Sequence, residues 1–127
     1  MNIPKNLFYT KDHEYVKVEN GVGIIGVTDY AQGELGDIIY VDITGEVGSD
    51  VSQHDSVGSI EAVKTVSEVF TPVSGKIVGI NSGINDNASV INSDPYGEGW
   101  IIKIELSNTE ELKSLLDAKA YKELVGA

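Results

Sequence analysis

The chemistry open to this sequence centres on one amine. Lys64 stands in Glu61-Ala62-Val63-Lys64-Thr65-Val66, and no other lysine or arginine lies between Lys17 and Lys76. An accessible lysine amine can be acylated, which removes its charge and adds length. Folding the segment back on Lys64 sets Ala62 opposite Val66, Ile60 near Glu68 and Val57 near Thr71, so the lysine falls at a hairpin tip. That tip is an unusual one. Val63-Lys64-Thr65 holds no Gly, Asn, Asp or Pro, and β-branched residues on both sides of the lysine suit a tight reversal poorly. A local rule broken at one place points to a functional constraint there. An arbitrary exposed lysine is most often only solvated, so the wider chain must decide between the two readings.

Other chemistries find little support. The chain has 127 residues, no cysteine and two histidines, His13 and His54. Thiolate catalysis, disulfides and cysteine metal sites are excluded, and no His or carboxylate set has zinc-ligand spacing. Gly21-Val22-Gly23-Ile24-Ile25-Gly26 matches the glycine pattern of a dinucleotide loop. Asn20-Gly21, however, is a hairpin signal, which places these glycines inside a returning strand rather than at the opening of a helix. All nine basic residues are lysines against 20 acids, for a net charge of −11. Without an arginine fork, and with repulsion from phosphates, nucleic acid is not an expected partner. The acidic excess suits solubility and attraction to positively charged proteins. No apolar run approaches the roughly 18 residues of a membrane span. Residues 1–10 lack the basic-then-apolar order of a secretory signal. A cytoplasmic protein is expected, with no membrane partner.

The elements that must position Lys64 are mostly strands. Fourteen glycines separating short Val/Ile runs favour a β-rich fold. Residues 14–18 and 22–27 alternate as strands around Asn20-Gly21. Thr28 can cap a short helix over 29–35, with Gly36 just past its end. Residues 37–43, 57–73 and 76–80 are β-rich, and 100–106 form the last strand. Residues 45–55 and 81–99 read as polar loop. Ser107 and Glu110 offer a capping box, and Leu112, Leu115, Leu116 and Ala120 recur at helical spacing, predicting one amphipathic helix over 109–124. One domain covers residues 1–127.

Glu-Ala-Val-Lys-Thr at 61–65, followed by Pro72-Val73-Ser74-Gly75, resembles the modification region of lipoyl and biotinyl carrier domains. The wider pattern is similar to the H-protein family of the glycine cleavage system. The similarity runs through His13-Glu14-Tyr15-Val16, Gly26-Val27-Thr28-Asp29-Tyr30-Ala31-Gln32, Leu35-Gly36-Asp37-Ile38 and Ile91-Asn92-Ser93-Asp94-Pro95-Tyr96-Gly97-Glu98-Gly99-Trp100. There are departures. Tyr15 stands where that family commonly has tryptophan, Asp12 where it often has serine, Ile43-Thr44-Gly45 where leucine-proline is usual, and Ala62 where serine is common.

The resemblance implies a mainly β fold: a flattened antiparallel barrel-sandwich hybrid of two small sheets, with a carrier hairpin at about 57–73, a short internal helix and a C-terminal helix. It implies no catalysis by the protein itself. Lipoate would be attached to Lys64 by a lipoate ligase or an octanoyl/lipoyl transferase, and the cofactor would perform the chemistry. A pyridoxal-phosphate glycine decarboxylase would load an aminomethyl group, a tetrahydrofolate-dependent aminomethyltransferase would remove it, and dihydrolipoamide dehydrogenase would reoxidise the dithiol. Glu14 and Glu68, with Asp12 as a further candidate, would receive the loaded arm. A monomer is expected. The competing readings are a lipoyl relay serving other carrier domains, a biotin carrier, opposed by Val63 and Thr65 where methionines are typical, and an interaction module with an unmodified lysine.

Overall fold

Short apolar–polar alternations make strands the chief regular element of the chain, and a computed structural model describes all 127 residues. The strands are β1 (Phe8–Tyr9), β2 (Glu14–Glu19), β3 (Val22–Val27), β4 (Ile38–Ile43), β5 (Asp50–Val51), β6 (Ser56–Ala62), β7 (Val66–Phe70), β8 (Gly75–Ile80) and β9 (Ile102–Leu106). They form a six-stranded sheet of order β1-β2-β3-β9-β8-β5 and a three-stranded sheet of order β4-β6-β7. Every pairing is antiparallel. Two open sheets around one core are the flattened barrel-sandwich arrangement expected. Val16, Ile25, Val41, Ile60, Val69, Ile77, Ile102 and Ile104 are buried together in that core. Each such side chain contributes about 1.5–3 kcal/mol of burial free energy, an upper bound because unfolded chains already bury some surface.

The first hairpin forms as its sequence predicts. Asn20 and Gly21 take φ of 51° and 79°, the two left-handed residues that a tight primed turn demands. Gly26 answers a different need: a Cβ there would stand 2.7 Å from the Tyr15 ring. These glycines serve a turn and a close packing, and no helix opens from them. The helix α1 (Asp29–Leu35) is capped by Thr28, whose hydroxyl accepts from the Ala31 N–H at 3.1 Å. It ends at Gly36, which has φ 79° and donates its N–H to the Gln32 carbonyl.

Three stretches depart from expectation. Residues 81–99 are not plain loop: a 3-10 turn (Ile84–Asn87) and the one-turn helix α2 (Val90–Ser93) drive Ile84 and Ile91 into the core. Strands β1 and β5 have two residues each, too short to show periodicity. The helix expected over 109–124 is broken into a 3-10 turn (Thr109–Ser114) and the helix α3 (Ala118–Val125). The break has a cause in the neighbouring strand. Leu116 and Tyr9 exchange two backbone hydrogen bonds of 2.8 Å, which satisfy the edge of β1 and hold residue 116 extended. Asp117 then caps α3 through the Ala120 N–H. The capping box also fails. Asn108, not Ser107, accepts from the Glu110 N–H, and the Glu110 carboxylate pairs with Lys113. The helix α3 covers a second apolar cluster of Ile3, Leu7, Tyr9, Tyr15, Ala118 and Tyr121. No helix is long and apolar enough to cross a membrane.

Candidate functional site

Lys64 lies at the tip joining β6 to β7, exposed, with no hydrogen bond or ion pair; the two ion pairs present are Lys17–Glu19 and Lys113–Glu110. The register differs by one residue from the expected one. Glu61 faces Val66, Ile60 faces Ser67 and Ser59 faces Glu68. The Ala62 N–H donates to the Thr65 carbonyl at 2.8 Å, so the reversal contains two residues, Val63 and Lys64, rather than three. A shift of one residue exchanges which side chains share a row across the sheet. Tyr40, Glu61 and Val66 now form one row, and Asp42, Ser59 and Glu68 the next.

The tip has no turn chemistry of its own. Neither Val63 nor Lys64 has positive φ, and no bond runs from the Thr65 N–H back to the Ala62 carbonyl. Its hold comes from across the sheet edge, where the Val63 N–H donates to the Asp37 carbonyl at 3.0 Å. The lysine stem lies over Gly36: a Cβ at that glycine would stand 3.6 Å from Lys64 Cε. Val63 and Val66 are exposed around it, at 72% and 63%.

Glu14 is the opposite kind of residue. It is 2% exposed. The Thr10 hydroxyl donates to its Oε1 at 2.6 Å, and the Phe70 N–H donates to its Oε2 at 3.3 Å. Burial pushes its carboxyl up from 4.5 to about 7, with the nearby Asp12 charge adding to the rise and the two hydrogen bonds opposing it. Desolvation wins because two hydrogen bonds replace only part of a carboxylate's water shell.

The loop carrying Glu14 is anchored through its neighbour. His13 has φ 69°, and its Nδ1 lies 2.8 Å from the Tyr121 hydroxyl, which in turn lies 2.7 Å from the Thr28 hydroxyl. The His13 ring also packs on Tyr30, with centroids 4.7 Å apart. Burial lowers the His13 pKa and pushes the Tyr121 phenol up to about 12. This chain ties residues 10–14 to the cap of α1 and to α3. His54 has positive φ and bonds through its backbone to Thr71. No group of three or more His, Asp or Glu side chains gathers as a metal site.

Two elements connect Lys64 with Glu14. Helix α1 begins beside Glu14, since Val27 pairs with Glu14 and the Thr28 N–H donates to the His13 carbonyl, and it ends at Gly36 beneath Lys64. Strand β7 leaves the tip and ends at Phe70, whose N–H reaches Glu14. At about 1.5 Å per helical residue and 3.3 Å per strand residue, α1 is about 10 Å long and β7 about 16 Å long.

The other expected acids are less closely joined to Glu14. Glu68 is exposed on β7, on the same face as Val66 and Phe70, and its carboxylate accepts from the Ser56 hydroxyl at 2.8 Å. Asp12 is exposed and lines a cleft of about 270 Å³ with Thr10, Gln53, His54 and Leu116. Sequence reasoning missed four contributors: Thr10, the Phe70 N–H, Tyr121 and Asn92. Thr10 meets Glu14 across the local loop 10–14, and the Phe70 N–H reaches it only through the fold. Tyr121 falls outside the leucine stripe read for the last helix. Asn92 lies in a stretch taken for loop, although that stretch carries much of the family resemblance.

Similarity to known proteins is spread along the whole chain. Residues 7–127 match the family model described as Glycine cleavage H-protein. The glycine cleavage system H protein of Symbiobacterium thermophilum is 49% identical over 120 residues, covering 94% of this chain and 93% of that one. That of Chlorobaculum tepidum is 50% identical over 128 residues, covering 99% of each. The crystal structure of a glycine cleavage system H protein from Mycobacterium marinum has a TM-score of 0.89 at 36% identity, over 98% of this chain and 100% of that one. On sequence and fold together, this chain belongs to the glycine cleavage H-protein family.

Proposed function

We propose that Lys64 holds lipoate in amide linkage, and that the arm so made rests at Glu14 between visits to partner enzymes. The protein itself is a non-catalytic shuttle of the glycine cleavage system, and its family membership supports lipoate as the group it carries. The observation that carries the Lys64 reading is the tip: an exposed, unpaired lysine on an open bend, joined by α1 and β7 to a buried carboxylate. Attachment uses an activated acyl donor, either an acyl-adenylate or an acyl thioester. The Nζ lone pair forms the amide bond, the acyl carbon's bond to the donor oxygen or sulfur breaks, and the displaced ammonium proton passes to solvent. A lipoate ligase or octanoyl/lipoyl transferase catalyses this step.

When bound, lipoate supplies the disulfide–dithiol chemistry of the shuttle. The partners served are glycine decarboxylase, the aminomethyltransferase and dihydrolipoamide dehydrogenase. The chain's own residues then decide where the cargo waits. An aminomethyl group carries an amine that is protonated near neutral pH. Glu14 offers it a carboxylate already stripped of water, so an arriving cation supplies the opposite charge that burial withholds and drives Glu14 to ionise. Thr10 and the Phe70 N–H fix the two carboxylate oxygens beforehand. Water is kept from the cargo by the same burial that raises the Glu14 pKa. Glu68 and Asp12, both exposed, contribute a weaker attraction from the surface.

The test is to express the protein with a lipoate–protein ligase and lipoate, then measure intact mass and map peptides. One lipoyl increment is expected, on the fragment containing Val63-Lys64-Thr65, with the other eight lysines unmodified. A lipoyl group on Lys76, or biotin in its place, refutes the reading.

A further inference from the structure

The bend at Val63-Lys64 is shaped from outside, and the side chain that fixes its neighbour lies on α2. We infer that Asn92 positions Lys64 for acylation, by clamping residues 36–38 against the hairpin tip; this rests on Lys64 being the attachment point.

Asn92 spends its whole side-chain amide on that segment and its helix. Its Nδ2 donates to the Gly36 carbonyl at 2.8 Å and to Gln32 Oε1 at 3.0 Å, while its Oδ1 accepts from the Ile38 N–H at 3.0 Å. The residues on both sides of Asp37 are thus held by one side chain. The Asp37 carbonyl between them accepts the only backbone hydrogen bond that ties the Val63 N–H. Gly36 presents bare backbone to the lysine stem, as the 3.6 Å approach of Lys64 Cε to its absent Cβ position shows. The clamp is itself anchored: Ile91, next in the chain, is fully buried in the core, and the Asn92 N–H donates to the Ser89 carbonyl.

The arrangement answers the puzzle of the turn. A two-residue reversal without Gly, Asn or Pro, without positive φ and closed by only one of the two bonds open to it has little reason to hold one shape. Bonding Val63 to a fixed carbonyl removes that freedom while leaving Lys64 exposed. An acylating enzyme then meets an amine already oriented, and the entropy of ordering the tip is not charged to the reaction. Asn92 touches neither the acyl donor nor the reacting nitrogen, so its role is positional.

Hydrogen exchange and acylation kinetics test this together. In the wild-type protein the Val63 amide is expected to be protected, while those of Lys64 and Thr65, which have no acceptor, exchange freely. Equal exchange at all three overturns the clamp, whatever the variants do. Asn92→Ala removes every clamp bond, and Asn92→Asp keeps an acceptor for Ile38 but loses both donors. In each, Val63 protection should fall while Ile25, in the distant β2–β3–β9 ladder, stays protected. With a lipoate–protein ligase, lipoate and ATP, kcat should drop about tenfold or more with KM little changed, because docking survives and orientation does not. A variant that keeps the wild-type thermal midpoint and the wild-type kcat refutes the inference. If both variants lose the fold, the wild-type exchange pattern decides. A wild-type protein acylated somewhere other than Lys64 refutes the attachment reading instead, and leaves the exchange result standing.

Discussion

The Lys64 tip and the buried Glu14 sit at opposite ends of α1 and β7, and they are built in opposite ways. Lys64 is exposed, unpaired and held only through the backbone of its neighbour. Glu14 is 2% exposed, with both carboxylate oxygens engaged and its loop tied to two helices through His13, Tyr121 and Thr28. The difference suits the roles proposed for them. A residue that several enzymes reach has to stand clear of the fold, so its loss costs the fold little. A residue that keeps a reactive cargo from water has to be buried, and burying a carboxylate makes it expensive to ionise.

The first way to break this contrast is Lys64→Ala. Acyl loading should fall to background by intact mass, while stability stays within about 0.5 kcal/mol, as for surface changes without special contacts. A cooperative loss of folding would make the tip structural and erase the comparison.

Glu14→Gln addresses the other end. In the folded protein Glu14 titrates at about 7 rather than 4.5. The folded state therefore binds this proton more tightly than the unfolded state does. The stabilising contribution is fully present below pH 4.5 and is lost as pH rises through about 7. The displacement corresponds to on the order of 3 kcal/mol. Against wild type, the glutamine variant should gain in thermal midpoint between pH 5 and pH 8. Once loaded, it should also release its cargo several-fold faster, with lipoylation unchanged. An identical midpoint difference at both pH values would mean that Glu14 is not desolvated.

The same contrast explains what was legible in the sequence. The first hairpin and α1 carry local signals, Asn20-Gly21 at one turn, Thr28 and Gly36 at the ends of the helix, and both elements form as read. Lys64 could be singled out because isolation and a broken turn rule are visible along the chain. The register of its hairpin could not, because the bond that shapes the tip comes from Asp37, 26 residues earlier. The C-terminal helix had the right periodicity, but Leu116 satisfies β1 instead of continuing it. Glu14 reads as an ordinary surface acid at a strand end. Only the fold brings the Phe70 N–H, 56 residues away, to its carboxylate.

The smallest effect should come from Glu68→Gln, and it sharpens the comparison most. Glu68 lies on β7 between Lys64 and Glu14, so position alone would rank it with Glu14. Its surroundings rank it otherwise. It is exposed, and its contact is a hydrogen bond accepted from the Ser56 hydroxyl at 2.8 Å, which the glutamine oxygen can keep. Folding stability should therefore not change. What is lost is one solvated charge along the path of a cationic cargo, worth about 0.5 kcal/mol or less, or about a twofold change in the lifetime of the loaded state. Salt separates the two acids further. At about 1 M ionic strength the screening length falls to about 3 Å, which should abolish the Glu68 effect and leave most of the buried Glu14 effect. The measurement is the spontaneous loss of cargo from loaded wild type, Glu14→Gln and Glu68→Gln at low and high salt. If Glu68→Gln shortens the lifetime as much as Glu14→Gln, and salt weakens both alike, the cargo waits over the open face of β7 and not at Glu14, and burial is not what protects it.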